Sequence, residues 1–229
     1  MMKISGVHIY QDRHEAGRRL ANALIAYKDA KDTIILALPR GGVPVGYEIS
    51  MALHLPLDVL VTRKLGTPGN PELAMGALAE TGYRHVNSDV LRTCGISHGE
   101  LEEETRRQQK EIDRRISRYR KGRGLHALEG KTVILVDDGI ATGATFYASL
   151  GALRTAATGR LIAAVPVAPP HAVGELKSLV DETVILQTPE LFFGIGQFYE
   201  DFTQVEDEEV IACLERVRAG MTDNQPLKS

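Results

Sequence analysis

Two adjacent carboxylates are followed closely by hydroxyl and glycine residues in the segment from Asp137 to Thr145. Asp137 and Asp138 come directly after an unbroken apolar run, 132–136. Two neighbouring carboxylates can accept both hydrogen bonds of a vicinal diol, and the hydroxyls of Thr142 and Thr145 can donate to an anion. Backbone N–H groups at the start of the helix expected next would favour a phosphate. The segment therefore predicts a diol end and a phosphate end, which is what a ribose 5-phosphate presents.

Parts of this segment also have ordinary structural interpretations. Asp-Asp-Gly is a common turn, and Thr142 could be a helix N-cap. The complete string from Val133 to Thr145 is more specific than either part. It is not a Walker A loop, because no Gly-Lys-Ser/Thr is present. It is not a dinucleotide fingerprint either, because Gly-x-Gly-x-x-Gly is absent after the strand.

Two further segments place cationic side chains after apolar runs. Arg40–Gly42 follows the run 33–38, and Arg63–Lys64 precedes a stretch rich in glycine and proline, 66–71, which we expect to form a mobile loop. Such side chains beside exposed backbone N–H groups suit an anionic ligand. The alternatives are a surface arginine in a tight turn for the first segment and ordinary basic loop residues for the second.

The elements that must position these residues alternate between short apolar runs and helical patterns. Buried strands are predicted at 33–38, 57–62, 132–136, 161–167 and 183–187. Helices are predicted at 13–27, 45–53, 98–120, 143–155, 171–179 and 206–218, and a hairpin at 74–80 and 84–87. The alternation predicts an α/β fold with a mainly parallel, doubly wound sheet of about five strands.

The composition is that of an ordinary globular protein of one domain. The 229 residues are 43% hydrophobic and 25% charged, with a net charge of −3. This charge argues against general nucleic-acid binding. Two distant cysteines favour a reducing compartment, and neither a signal peptide nor a membrane span is apparent, so a cytoplasmic location without membrane binding is expected.

The long helix predicted at 98–120 carries many charges and only a thin apolar stripe. Favourable i,i+4 pairs are expected between Glu102 and Arg106, between Glu103 and Arg107, and between Glu111 and Arg115. Basic residues cluster at its end, at Arg114, Arg115, Arg118, Arg120, Lys121 and Arg123. We interpret this cluster as a solvated helix face rather than as a binding site for an anionic partner.

The string from Val136 to Thr145 resembles the signature of the type I phosphoribosyltransferases. These enzymes transfer a phosphoribosyl group from phosphoribosyl diphosphate (PRPP) to a nitrogen nucleophile. The resemblance covers a core at about 33–187 and implies appended or hood segments at about 1–32 and 188–220. The remaining tail, 221–229, is expected from its own sequence to be disordered. The segment Asp12–Leu20 is also similar to bacterial stand-alone proteins of this family.

The resemblance implies a role for each segment. Asp137 and Asp138 would bind the ribose hydroxyls, Arg40 would contact the diphosphate, and Lys64 would swing in to neutralise it, so these four residues are the implied catalytic set. The implied substrate-binding residues are Arg40, Gly41, Gly42, Arg63, Lys64, Asp137, Asp138, Gly139, Ala141, Thr142, Gly143, Ala144 and Thr145. A cis peptide bond is expected near Arg40–Gly41.

The implied activity belongs to nucleotide metabolism. It is Mg²⁺-dependent transfer from PRPP to a nitrogen acceptor, expected to be a nucleobase, with release of diphosphate. The Mg²⁺ would be held through the substrate rather than by dedicated protein ligands. The family often dimerises, which allows a homodimer, although no periodicity marks an interface. The competing interpretations are a non-catalytic PRPP or nucleotide sensor and, less favoured, a hydrolase or diphosphokinase of the same fold.

The acceptor is the least determined feature. Ala141 stands where family members that act on 6-oxopurines usually carry an aspartate, which argues against guanine and hypoxanthine, and short likenesses point to adenine phosphoribosyltransferase. Glu72 and Glu80 are candidate bases, although solvated loop carboxylates are the favoured interpretation. Five aromatic residues could form either a stacking surface for a base or a small satellite core. They are Phe192, Phe193, Phe198, Tyr199 and Phe202.

Overall fold

The computed structural model of the protein describes residues 7–223. Its strands are β1 (Thr33–Ala37), β2 (Leu57–Val59), β3 (Thr62–Thr67), β4 (Asn70–Ala79), β5 (Arg84–Val86), β6 (Thr132–Val136), β7 (Arg160–Val167) and β8 (Glu182–Gln187). Its α-helices are α1 (Arg13–Ala23), α2 (Gly42–Leu53), α3 (Ser88–Cys94), α4 (His98–Arg120), α5 (Ala144–Thr155), α6 (Pro170–Leu179) and α7 (Asp207–Asp223). No helix in this part of the chain is both long and apolar enough to cross a membrane.

A five-stranded parallel sheet in the order β2-β1-β6-β7-β8 forms the centre of the molecule. Every residue of β1 is buried because alternate side chains enter two different cores. Ile35 packs with α2, α4 and α7 on one face, and Ile34 packs with α5 and α6 on the other. The predicted doubly wound fold is confirmed. Since β1 and β6 pair in parallel, with Ala37 opposite Val136, the loops after them leave the same sheet edge.

The helix boundaries differ from the predicted ones where backbone geometry intervenes. Helix α1 ends at Ala23, and its predicted last turn is a 3-10 helix, Ile25–Tyr27. Helix α2 begins at Gly42, three residues before the predicted start, because the short loop after β1 leads directly into the helix. Helix α7 continues to Asp223, past the predicted start of a disordered tail; residues 224–229 lie outside the described residues.

The stretch 66–71, predicted to be a mobile loop, is a hairpin turn between two strands. Strands β3 and β4 pair from Thr62 with Ala79 to Thr67 with Asn70, so only Pro68 and Gly69 remain between them. The left-handed φ of +76° at Gly69 is what a tight turn with proline before glycine requires. The loop prediction is therefore wrong because proline and glycine signal a tight turn here. The predicted hairpin of β4 and β5 is confirmed.

Helix α4 has the predicted bounds and begins with a capping box formed by Ser97 and Glu100. The interpretation of its basic end as a solvated face is wrong for Arg120, whose side chain is only 1% exposed. Arg120 forms ion pairs with Asp58 of β2 and Glu80, which follows β4. The helix thus joins the central sheet to the hairpin through a buried charge network.

Replacing Arg120 with methionine tests the structural role of this network. Asp58 and Glu80 would keep their burial and lose their guanidinium partner, which typically costs about 3–5 kcal/mol. We expect a loss of this size in the free energy of unfolding measured by urea denaturation. Arg92→Met is the control because Arg92 pairs with Asp89 at the exposed surface, where loss of a pair costs under about 1 kcal/mol. Equal losses in the two variants would contradict the assignment.

Candidate functional site

Two loops at the carboxyl edge of the sheet pack directly against each other. A Cβ on Gly41 would lie 2.0 Å from Oδ2 of Asp138, and one on Gly42 would lie 2.8 Å from the Val136 carbonyl oxygen. Both positions therefore require glycine for close approach rather than for backbone freedom. The Gly42 N–H donates to the Leu38 carbonyl at 3.0 Å, so Gly42 supplies space and not a free donor. The cis peptide bond joins Pro39 and Arg40, one bond before the expected position.

The two adjacent carboxylates have different environments. Asp137 is half-buried, and its Oδ1 accepts the Asp138 N–H at 2.9 Å. Burial, reinforced by the charge of Asp138, raises the pKa of Asp137 well above its ordinary value. Burial also raises the pKa of Asp138, but an adjacent guanidinium opposes this rise. Folding thus destabilises the negative charge of Asp137, whereas the guanidinium partly offsets the negative charge of Asp138.

Arg13, at the start of α1, provides that guanidinium, and sequence reasoning did not include it in the site. Its Nε donates to Oδ2 of Asp138 at 2.8 Å, and its Nη1 donates to the Thr203 carbonyl at 2.8 Å. The guanidinium carbon lies 4.0 Å from the centre of the Phe202 ring. The only sequence signal for Arg13 is the family likeness of the segment Asp12–Leu20, because 125 residues separate the two partners.

The predicted phosphate end forms a loop that leads into α5. Gly143 is the N-cap, with a left-handed φ of 72° and no side-chain hydrogen bond to the helix. The alternative in which Thr142 caps the helix is therefore wrong. The loop is held to the sheet by the Ile140 N–H, which donates to the Val167 carbonyl at 2.9 Å. No capping side chain occupies the amides of the first turn, so they suit an anion.

A cleft of about 410 Å³ runs between these loops, the β3–β4 hairpin and helix α4. It brings together Arg63, Lys64 and Thr145 of the predicted set. It also includes residues of α4 that the sequence analysis did not assign to a site. The full lining is Pro39, Thr62, Arg63, Lys64, Gly66, Pro71, Glu72, Glu104, Arg107, Gln108, Arg115 and Thr145. The ammonium of Lys64 lies 3.1 Å from the carboxylate of Glu72, which is almost fully exposed.

Arg40 does not line this cleft. Its Nη1 lies 3.2 Å from Oε2 of Glu206 and 3.9 Å from Oδ1 of Asp207, so it turns towards the start of α7. The Glu206 carboxylate is exposed, and a surface pair of this kind contributes about 0–1 kcal/mol. The pair is therefore weak enough for an anion to displace Glu206 from Arg40.

The aromatic residues near 200 form the satellite core rather than an open stacking surface. Phe198 is buried, and Tyr199 stacks on Phe202 with ring centres 5.0 Å apart. Tyr199 also donates its hydroxyl proton to the Asp138 carbonyl at 2.6 Å. Phe193, by contrast, is 89% exposed. The buried part of this cluster, with Phe198, Tyr199 and Phe202, thus packs beside Arg13 and Asp138 and supports them.

Comparison with known proteins agrees with this arrangement of loops. A sequence model of the phosphoribosyl transferase domain matches residues 6–203. The chain belongs to the phosphoribosyltransferase family. The predicted resemblance is confirmed, and the match extends over the N-terminal segment that contains Arg13.

The most informative relatives are a mycobacterial protein and a solved structure. A Mycobacterium tuberculosis protein that carries a provisional phosphoribosyl transferase name is 45% identical over 208 residues, which is 91% of this chain and 47% of that protein. The chain thus spans about half the length of the curated relatives it matches. The crystal structure of the protein TT1426 from Thermus thermophilus is 41% identical, with a TM-score of 0.77, covering 91% of this chain and 98% of that one.

Asp137→Asn tests whether folding destabilises the negative charge of the first carboxylate. A carboxyl group whose pKa is raised by folding makes the protein less stable as the pH rises from the ordinary pKa, 3.8, through the raised pKa. Removing this charge should therefore increase the free energy of unfolding by about 1 kcal/mol or more at pH 7. The gain should disappear below pH 3.8. Urea denaturation at both pH values measures it, and a loss of stability at pH 7 would contradict the assignment.

Arg13→Met should have the opposite effect, because it leaves Asp138 buried without its cation. We expect a loss of about 3 kcal/mol at neutral pH. The loss should shrink as the pH falls, since protonation removes the uncompensated charge of Asp138. Urea denaturation across this pH range measures the change. Arg18→Met is a matched control on the same helix, because Arg18 is exposed and lies 3.5 Å from Glu48; a pH-independent loss in Arg13→Met would refute the pairing.

Proposed function

We propose that the protein transfers the 5-phosphoribosyl group of PRPP to a nitrogen acceptor, a nucleobase in the simplest case, and releases diphosphate. The observation that carries the proposal is the packing of Gly41 against Asp138. This contact sets the loop of Arg40 beside a pair of carboxylates. The uncapped start of α5 follows the same pair in the chain. Sites suited to a diphosphate, a diol and a phosphate thus occur in the order in which PRPP presents these groups.

The residues of this chain have separate tasks in the proposed transfer. The carboxylate of Asp137 accepts hydrogen bonds from the ribose hydroxyls, while the amides at the start of α5 hold the 5-phosphate. The bond from C1 to the diphosphate oxygen breaks, and a bond from C1 to the acceptor nitrogen forms. Positive charge develops on the ribose and negative charge on the leaving group. Arg40 and Lys64 neutralise the latter after leaving Glu206 and Glu72.

The carboxylate pair also fits the expected Mg²⁺. Among residues 7–223 no group of three histidine, cysteine, aspartate or glutamate side chains could hold a metal ion. Asp137 and Asp138 are nevertheless oxygen donors of the kind that Mg²⁺ prefers, and this ion commonly binds through substrate phosphates. When bound there, Mg²⁺ would neutralise charge on the departing diphosphate. Arg13 occupies one oxygen of Asp138, so Asp137 would be the more available carboxylate for holding the ion.

A second candidate is a PRPP- or nucleotide-binding protein that carries out no transfer. The observation that favours it is the satellite core, because Phe198 and Tyr199 are buried and the ring of the half-buried Phe202 is covered by Arg13 and Tyr199. The absence of an aspartate at Ala141 agrees with it. The lysine and arginines around the cleft favour the enzyme instead, since a sensor has no leaving group to neutralise.

Two measurements test the proposal. Calorimetry with PRPP and Mg²⁺ should show binding that falls by at least about 100-fold when Asp137 and Asp138 both become asparagine. Asp89→Asn is the matched control because Asp89 is exposed and remote from the loops. No binding by the parent protein would end both candidates.

Diphosphate release from PRPP across a panel of nucleobases then separates the two. We expect release that depends on the acceptor and stops in the double asparagine variant. Tight PRPP binding without acceptor-dependent release would favour the sensor.

A further inference from the structure

The face of helix α4 that points into the cleft forms a continuous polar wall. Gln108 is buried, and its Oε1 accepts a hydrogen bond from Nε of Arg63 at 3.0 Å. The Nε2 of Gln108 donates to Oε1 of Glu104 at 2.8 Å. Glu104 in turn pairs with Arg107, with N–O distances of 2.7 and 2.9 Å. This chain of contacts links the hairpin arginine to the helix and holds it at the cleft.

The wall carries more positive than negative charge. Arg63, Lys64, Arg107 and Arg115 line the cleft, whereas the acidic lining residues are Glu72 and Glu104. Arg115 is only 15% exposed and shares its partner Glu111, which lies outside the lining, with Arg114. No ion pair joins Arg63 to a carboxylate within the described part of the chain. The cleft lining thus keeps a net positive charge, and Arg63 in particular is left to attract an anion.

The electrostatics of Arg63 support this description. Burial, together with the charges of Arg115 and Arg107, lowers the pKa of its guanidinium and outweighs the opposing effects of Glu111 and Glu104. A half-buried arginine beside two others is destabilised until a negative group approaches. Among its contacts with residues 7–223, only its Nε is occupied, by the Gln108 amide, which leaves the paired Nη donors for a bidentate contact with a phosphate.

The position of the cleft indicates which anion it receives. Thr145, in the first turn of α5 and part of the segment assigned to the 5-phosphate, lies on its border, as does Pro39, from the loop assigned to the diphosphate. We propose that Arg107 and Arg115 of helix α4, together with Arg63, bind the diphosphate group of the donor. The proposal rests on the proposed function and adds to it a part of the donor site contributed by α4.

Glu104 acts as an internal competitor in this arrangement. Its carboxylate holds Arg107 through two hydrogen bonds and also accepts one from Nε2 of Gln108. A bound diphosphate must share Arg107 with the Glu104 carboxylate or displace that carboxylate from it. Neutralising the carboxylate should therefore strengthen diphosphate binding, an effect that a purely structural role for Glu104 does not produce.

The test is calorimetry with inorganic diphosphate, PRPP and ribose 5-phosphate, each with Mg²⁺, on single variants of α4. We expect Arg107→Gln and Arg115→Gln each to weaken diphosphate and PRPP binding about tenfold and to leave ribose 5-phosphate binding unchanged. Glu104→Gln should tighten diphosphate binding. Arg106→Gln is the matched control, since Arg106 is exposed on the same helix and outside the cleft lining. Arg115→Lys keeps the charge and should restore part of the affinity, and thermal unfolding verifies that each variant folds.

The possible failures are distinguishable. Diphosphate and PRPP affinities equal to those of the parent in Arg107→Gln and Arg115→Gln would overturn the inference and leave the proposed function intact. A rise only in the acceptor KM would also overturn it, because the anion would then belong to the acceptor. If the protein bound diphosphate through Arg115 but did not bind PRPP, the result would support an anion site on α4 and refute the proposed function.

Discussion

The contact between Gly41 and the carboxylate of Asp138 is the constraint on which the rest of the site depends. Strands β1 and β6 are neighbours in the sheet, so the loops that follow them compete for the same space. Glycine at 41 and 42 lets the two backbones approach closely enough for one small ligand to contact both loops. The cost of this approach is a pair of adjacent carboxylates, one half-buried and one buried, and Arg13 offsets the charge of the buried one. The N-terminal helix and the aromatic cluster are therefore needed to keep two loops of the core together.

The local parts of this arrangement could be predicted from sequence. The unbroken apolar runs of β1 and β6 indicated strands buried on both faces, and the loop after each strand contained the expected glycines, carboxylates and hydroxyls. The bounds of α4 followed from its charged i,i+4 pairs and its thin apolar stripe. These signals are short-range, because capping, turn formation and burial of alternate residues all act within a few residues.

The parts that failed depend on distant partners. Nothing near Arg120 in the sequence shows that Asp58 and Glu80 will enclose it, so its neighbours suggested an exposed basic face. The same holds for Arg13, whose partners Asp138 and Thr203 lie far along the chain. At 66–71 the glycines and prolines were interpreted as a mobile loop, but strand pairing of the flanking residues made the segment a hairpin with a tight turn. The opposite faces of a charged helix cannot be assigned until its packing partners are known.

The Arg120 network has a mechanical consequence for the cleft. Arg120 donates to Asp58 in the central sheet and to both oxygens of Glu80, and Glu80 also accepts the Val61 N–H at 2.8 Å. The base of the hairpin is thus fixed to the sheet at the point where the chain passes from one to the other. A swing of the whole hairpin would expose two carboxylates and a guanidinium together. Any movement of the hairpin that keeps this network intact is therefore confined to its free tip, around Pro68 and Gly69, while Arg63, which pairs with Leu78 near the base, keeps its place.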